Sequence, residues 1–290
     1  MTLALQPPTW PTIDSATLTT TRLVLRSRRL HPALDGLRLV QIADPHLPHS
    51  RLRWGEVVEV VRGFAPDLVL HTGDLEGRED AAATAPLLAL LEGRLGTYAS
   101  CGNHDYTWRE NDCSGYVREL RRYGIVPLDN ETRAVAVGQA QLRLVGVGEW
   151  LEQDLRLERA LDAGVSGDLT ILLSHYPGIW PQVVGADVDL VLCGHTHGGQ
   201  VRVRGWQAFT GHTRAGRRLA AGLFSLRSGR PECTLDHWQA LGYSERDAPV
   251  EVDLDELRPL LYVSRGLGTS TVTLRVNCPP EVVFITLRRP

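Results

Sequence analysis

The chain has 290 residues, 43% of them hydrophobic and 22% charged, with a net charge of -3. That balance excludes the disordered and fibrous classes, and it argues against a surface built to coat nucleic acid. Every one of the 31 basic residues is arginine, which reads as compositional bias of the source rather than as phosphate chemistry. Cys101, Cys113, Cys193, Cys233 and Cys278 show no CxxC spacing, so neither a zinc ribbon nor a disulfide framework is expected. The opening MTLALQPPTWPTIDSATL lacks a basic then apolar leader, and no run reaches the roughly 18–20 apolar residues of a membrane span. The expectation is one domain over residues 1–290 in a reducing cytoplasm.

From Leu37 onward strand, turn and helix alternate. LRLVQIA leads through DPHL into RWGEVVEVVRGF, where Val57, Val58, Val61 and Phe64 share one helical face. DLVLHTGDL is followed by AAATAPLLALLEGRL, predicted as a helix closing near Gly96, and TYASCGNHD by YVRELRRYG, with Gly124 as its stop. Near-continuous apolar strands between helices indicate a parallel sheet covered on both faces. After Pro127, ETRAVAVGQAQLRLVGV reads as a hairpin through Gly138, and LRLERALDAG as a helix. LTILLSH, VDLVLCGHTH, LLYVSRGLG, STVTLRV and EVVFITLRR complete the strand-like segments, while residues 225–259 read as an inserted surface loop with one short helix. The fold class is α/β, with two mixed sheets packed face to face and helices outside.

Ligand-type side chains recur at the ends of these apolar runs, where an α/β sheet presents groups to a crevice. They are Asp44 and His46, then Asp74, then Asn103 and His104, then His175, then His195 and His197. Without His104, the set is two aspartates, one asparagine and four histidines, too many for one tetrahedral site. Mixed oxygen and imidazole donors suit Mn, Fe, Zn, Co or Ni rather than an all-oxygen calcium or magnesium site. With one bridging carboxylate, for which Asp74 fits best, they would serve two divalent ions about 3.5–4 Å apart, manganese being favoured. Two dications against two aspartates leave a positive centre that wants an anion. A phosphate ester would be attacked there by a water whose pKa is lowered towards about 7. His104, adjacent to a ligand, is assigned to the leaving-group or equatorial oxygen, and Asp105 to orienting a histidine.

The order DxH, GD, GNHD, H, GHTH resembles the calcineurin-like metallophosphoesterase superfamily. The tail RGLGTS and RVNCPPEVVFITL, with the entry LDGLRLVQIADPHL, resembles its bacterial branch of YkuE- and YaeI-type phosphodiesterases. More distantly it is similar to UDP-2,3-diacylglucosamine pyrophosphatases. The resemblance implies a four-layer αββα sandwich and a phosphodiester or pyrophosphate hydrolase. It implies one metal on Asp44, His46, Asp74 and His197, and a second on Asp74, Asn103, His175 and His195. Ala43 stands where a serine is common, and Glu76 lies one place earlier than the acid many relatives carry after the second motif.

The remaining histidines, His31, His49, His71, His212 and His237, take ordinary roles, with His49 and His212 near the cleft rim and His71 packed within its strand. Cys101 and Cys193 read as small buried fillers. Arg265 is a candidate phosphate clamp, with a purely structural RGLGTS turn as the equal alternative. The arginine-rich RVRGWQAFTGHTRAGRRL reads as a solvated loop, its other readings being contact with an anionic substrate tail or a membrane surface. The expected partner is a phosphoester small molecule or lipid-linked substrate, with no stable nucleic-acid partner. The alternative function is a binding scaffold that keeps the fold without catalysis, and the presence of His104 argues for the enzyme.

Overall fold

In the computed structural model the described residues are 17–47, 53–75, 81–106, 112–149, 153–202, 219–236, 249–270 and 272–290. The apolar runs become strands, in chain order β1 (Thr19–Arg26), β2 (Arg38–Ile42), β3 (Leu68–Thr72), β4 (Thr97–Ser100), β5 (Val126–Pro127), β6 (Glu131–Val137) and β7 (Ala140–Gly146). They continue as β8 (Leu169–Leu173), β9 (Leu190–Cys193), β10 (Gly222–Ser225), β11 (Glu232–Asp236), β12 (Val250–Asp253), β13 (Leu260–Val263) and β14 (Glu281–Arg288). The helices are α1 (Trp54–Phe64), α2 (Ala81–Leu88), α3 (Ser114–Arg122), α4 (Leu157–Leu161), α5 (Trp180–Val183) and α6 (Leu254–Leu257).

Two seven-stranded sheets result, ordered β12-β1-β14-β2-β3-β4-β5 and β11-β10-β13-β9-β8-β7-β6. Both are mixed: β2, β3, β4 and β5 run parallel, as do β7, β8, β9 and β13, while β14 opposes β2 and β6 opposes β7. Period-two alternation explains how each sheet is covered on both faces. Leu39, Leu68, Leu70, Ile171, Leu173 and Leu192 point between the sheets into one shared core. Their neighbours Val40, Ile42 and Val69 face outward to α1, α2 and α3, and Leu172 and Val191 face α4 and α5. The layers are therefore αββα. On α1, buried Val57, Val58 and Val61 recur at helical spacing, each stabilising the packing by about 1.5–3 kcal/mol.

Several segments differ from expectation. α2 stops at Leu88 rather than near Gly96: Pro86 lies inside it and removes a helical donor, and the chain then turns through the bonds Leu90 N to Leu87 O and Leu91 N to Leu88 O. Among the described residues of STVTLRV the one β contact is an isolated bridge, Val201 with Val276, and Arg275 turns inward to bind loop carbonyls. Within 225–259, read as a loop, β11 and β12 add an edge strand to each sheet, and α6 is a short helix capped by the Asp253 side chain. β1, missed in the sequence, pairs in parallel with β14 along its whole length. Glu76, His49, His212, His237 and most of the arginine-rich segment lie outside the described residues. Among the described residues no helix is long and apolar enough to cross a membrane.

Candidate metal centre

The parallel strands deliver their C-terminal ends to one edge shared by both sheets. β2 carries Asp44 and His46, β3 Asp74, β4 Asn103 and His104, β8 His175, and β9 His195 and His197. The backbone is forced to aim them: Asp44, His46, Asp74, His195 and His197 all have positive φ, between 47° and 70°. Non-glycine residues adopt this left-handed region at a cost of about 1–3 kcal/mol each, so strain is concentrated at the site and is held by surrounding packing. Gly102 makes the approach feasible, since a Cβ there would lie 2.3 Å from Asp74 Oδ1.

The donors form two adjoining groups. In the first, ligand atoms of Asp44, His46, Asp74 and His197 all lie within 4.8 Å of one another, with His46 Nε2 3.1 Å from His197 Nε2 and His197 Nε2 3.6 Å from Asp44 Oδ1. In the second, Asn103 Oδ1 lies 2.9 Å from His195 Nδ1 and 3.2 Å from His175 Nε2, and those two nitrogens are 3.2 Å apart. Asp74 joins them, because its Oδ2 stands 3.5 Å from His46 Nε2 and 3.2 Å from His175 Nε2. Its Oδ1 accepts the His104 backbone N–H at 2.8 Å. All seven expected ligands are thus brought together, and His104 stands at their edge, half-buried, its ring edge-on to His46 at 5.0 Å.

Electrostatics prepares these donors for a cation. Burial pushes the His46 imidazole down to about 4, and burial together with His46 and Arg275 pushes His197 well down, so both stay neutral with their Nε2 atoms facing each other at 3.1 Å. Burial, with the repulsion of Asp74, raises the Asp44 carboxyl to about 7. Burial alone would raise Asp74 as well, but the adjoining His175 and His46 hold it well below the usual carboxylate range. Burial opposes charge on His175, and Asp74 reverses that, raising it well above the ordinary imidazole value. The His175 Nδ1 faces the Thr72 carbonyl at 2.8 Å, which fixes that nitrogen as the donor and leaves Nε2 for the centre. Imidazole nitrogens, an amide oxygen and carboxylate oxygens, converging from both donor groups, are the donor set of a first-row divalent ion, whose binding would displace the His175 proton.

Two assigned residues take other roles. The described bonds of Asp105 go to the backbone N–H groups of Gly102, Asp74 and Leu75, so its carboxylate binds the β3 and β4 turns to each other. Arg265 does not reach over the site: its guanidinium is buried in an ion pair with Glu281 at 3.1 Å and bonds Thr19 Oγ1. The turn it belongs to matters instead, since Leu267 N and Gly268 N bond the carbonyls of Ala43 and Asp44.

Three residues that the sequence reading passed over support the centre. Arg275, fully buried, donates to the carbonyls of His197, Arg265, Gly266, Gly268 and Cys278, fastening the His197 loop to the turn that backs Asp44. Gln41 Nε2 bridges the two sheets to Thr72 Oγ1 and the Cys193 carbonyl. Glu149, fully buried, places negative charge toward His175, and its backbone N–H donates to the Tyr106 hydroxyl at 3.2 Å. A buried charged residue cannot be told from a surface one by spacing, so the supporting roles of Arg275 in RVNC and Glu149 in GVGEW were not readable from the sequence.

Residues 37–199, more than half of the 290, match the family model described as Calcineurin-like phosphoesterase. The chain belongs to the calcineurin-like phosphoesterase family. Within this family it is 31% identical to the bovine (Bos taurus) transmembrane protein with metallophosphoesterase domain, over 68% of this chain and 46% of that one, so it spans under half of that relative's length. It is 24% identical to the metallophosphoesterase YkoQ of Bacillus subtilis, covering 87% of this chain and 84% of the relative. It is 29% identical to the phosphodiesterase YaeI of Escherichia coli, covering 77% and 70% respectively.

Proposed function

We propose that the chain is a dinuclear, metal-dependent phosphoesterase that hydrolyses a phosphodiester or pyrophosphate bond. The observation that carries this reading is Asp74 Oδ2, a single carboxylate oxygen set between His46 of one donor group and His175 of the other. Asp44, His46, Asp74 and His197 would hold one divalent ion, and Asp74, Asn103, His175 and His195 the second. Bound there, such ions supply Lewis acidity toward phosphoryl oxygens and lower the pKa of a water nucleophile.

The protein's own groups do the rest. Positive-φ turns and the Asp105 and Arg275 bonds hold the donors in place before substrate arrives, so little reorganisation is needed at the moment of reaction. The His104 ring stands beside His46 and outside both donor groups, half-buried, where it meets a phosphoryl oxygen or the departing oxygen and gives it a proton or a hydrogen bond. The name phosphodiesterase carried by the YaeI relative supports the substrate class.

The test is hydrolysis of bis-p-nitrophenyl phosphate by metal-stripped protein reconstituted with manganese, iron, zinc, cobalt or nickel. Turnover that requires added metal, greatest with manganese, is the expected result. Absence of turnover with all five ions, in protein that remains folded, would overturn the reading and favour a binding scaffold.

A further inference from the structure

A second group of ligand-type side chains lies behind the Asn103 turn. Cys101 directly follows β4, Cys113 is the residue before α3, and Asp129 follows β5. One ligand atom from each lies within 4.8 Å of the other two. Both thiols are buried, whereas Asp129 is partly exposed and opens the group to solvent on one side.

The spacing suits a small tetrahedral ion. Zinc takes thiolate sulfur at about 2.3 Å and carboxylate oxygen at about 2.0 Å, which sets such ligands about 3.5 Å apart around it. Cys113 Sγ stands 3.7 Å from Asp129 Oδ2. The local charge favours a cation as well. Burial first, then Asp154, Glu131 and Asp112, push the Asp129 carboxyl upward, and among the described residues its hydrogen-bond partners are Asn130 and the Cys113 thiol. Asp154 and Glu131 have arginines of their own, Arg156 and Arg133. The cluster therefore gathers negative charge around a carboxylate with no cation in contact among the described residues.

We propose that Cys101, Cys113 and Asp129 form a thiolate site for a soft divalent ion of the zinc class, distinct from the centre around Asp74, with water as fourth ligand on the Asp129 side. Two sulfurs and a carboxylate are the donors such ions select, and binding releases both thiol protons to water. An ion here ties the end of β4, which continues into Asn103 and His104, to the start of α3 and the turn after β5.

The test is titration of metal-stripped full-length protein with cobalt(II) or cadmium in a Cys233→Ser background, which removes the exposed thiol. The centre around Asp74 offers nitrogen and oxygen only, so a sulfur-to-metal charge-transfer band reports the cysteine site. The expected result is a saturable band from one ion per chain, additional to the two that the centre around Asp74 would take, abolished in Cys113→Ser, at least about tenfold weaker in affinity in Asp129→Asn, and retained in Asp74→Asn. The Asp129 variant, at a partly exposed position, keeps the test decisive if Cys113→Ser does not fold. No band in folded protein overturns the proposal, as does a band that survives Cys113→Ser. So does joint loss of both thiols with a mass lower by two hydrogens, which identifies a disulfide.

Discussion

Replacing Gly102 by alanine adds one methyl group at the most crowded point of the centre. Its Cβ would fall 2.3 Å from Asp74 Oδ1, 2.5 Å from the Asp74 nitrogen and 2.9 Å from His175 Nδ1, where ordinary contact begins near 3.4 Å. Asp74 or the Gly102 backbone must therefore give way by about 1 Å, several times the roughly 0.2 Å tolerance of metal–ligand distances. Overpacking of this kind costs about 1–3 kcal/mol in stability, but if Asp74 bridges two ions as proposed, its displacement should cost far more in metal affinity, on the order of 10- to 100-fold. The assay is metal content per chain after dialysis, beside turnover of bis-p-nitrophenyl phosphate and thermal unfolding. Gly63→Ala in α1 is the control: nothing lies within 4 Å of its Cβ, so it should gain about 0.4–1 kcal/mol and leave metal content unchanged. Full metal occupancy and turnover in Gly102→Ala would refute the reasoning, because metal binding would then not depend on where the Asp74 carboxylate stands.

His104→Ala should retain metal while turnover falls on the order of 10²–10⁴-fold, and a variant that lost its metal would show that His104 is a ligand. Arg265→Met should destabilise by about 3–5 kcal/mol, by stranding buried Glu281, with metal affinity little changed; chemical denaturation and metal titration separate the two effects. Arg275→Met should both destabilise and weaken metal binding, since the carbonyls of His197, Arg265, Gly266, Gly268 and Cys278 lose the one guanidinium that ties them together, and unchanged metal affinity in folded protein would contradict that. His71, whose imidazole is pushed down to about 3 by burial and then by His175, resists a proton that the unfolded chain accepts near 6.5. Its contribution is therefore complete above about pH 6.5 and lost as pH falls toward 3. His71→Gln should flatten the stability slope across that window by up to about 1.4 kcal/mol per pH unit, read from urea unfolding at several pH values.

That these donors would converge was legible because each follows a buried, mostly apolar strand, so that a polar residue at its end has to face the crevice. Asp44, Asp74, His175 and His195 are of this kind. What holds them was not legible. Arg275 works partly through the His197 loop, distant in sequence, and Asp105, expected to orient a histidine, meets backbone amides of the β3 and β4 turns; nothing in a residue's own neighbourhood reveals which carbonyl or amide it will meet. Arg265 shows the same limit from the other side, for the turn was recognised but the direction of its side chain depends on Glu281 in β14. The edge strands β11 and β12 escaped notice because polar, partly exposed segments take strand form from the sheet they join rather than from their own pattern.

The account rests on two ions sharing Asp74, and anomalous diffraction from crystals grown with manganese tests it most directly. It predicts two anomalous peaks about 3.5–4 Å apart on either side of Asp74 Oδ2, one among Asp44, His46 and His197 and the other among Asn103, His175 and His195. A single peak, or ions bound elsewhere with these side chains left facing one another, would contradict it.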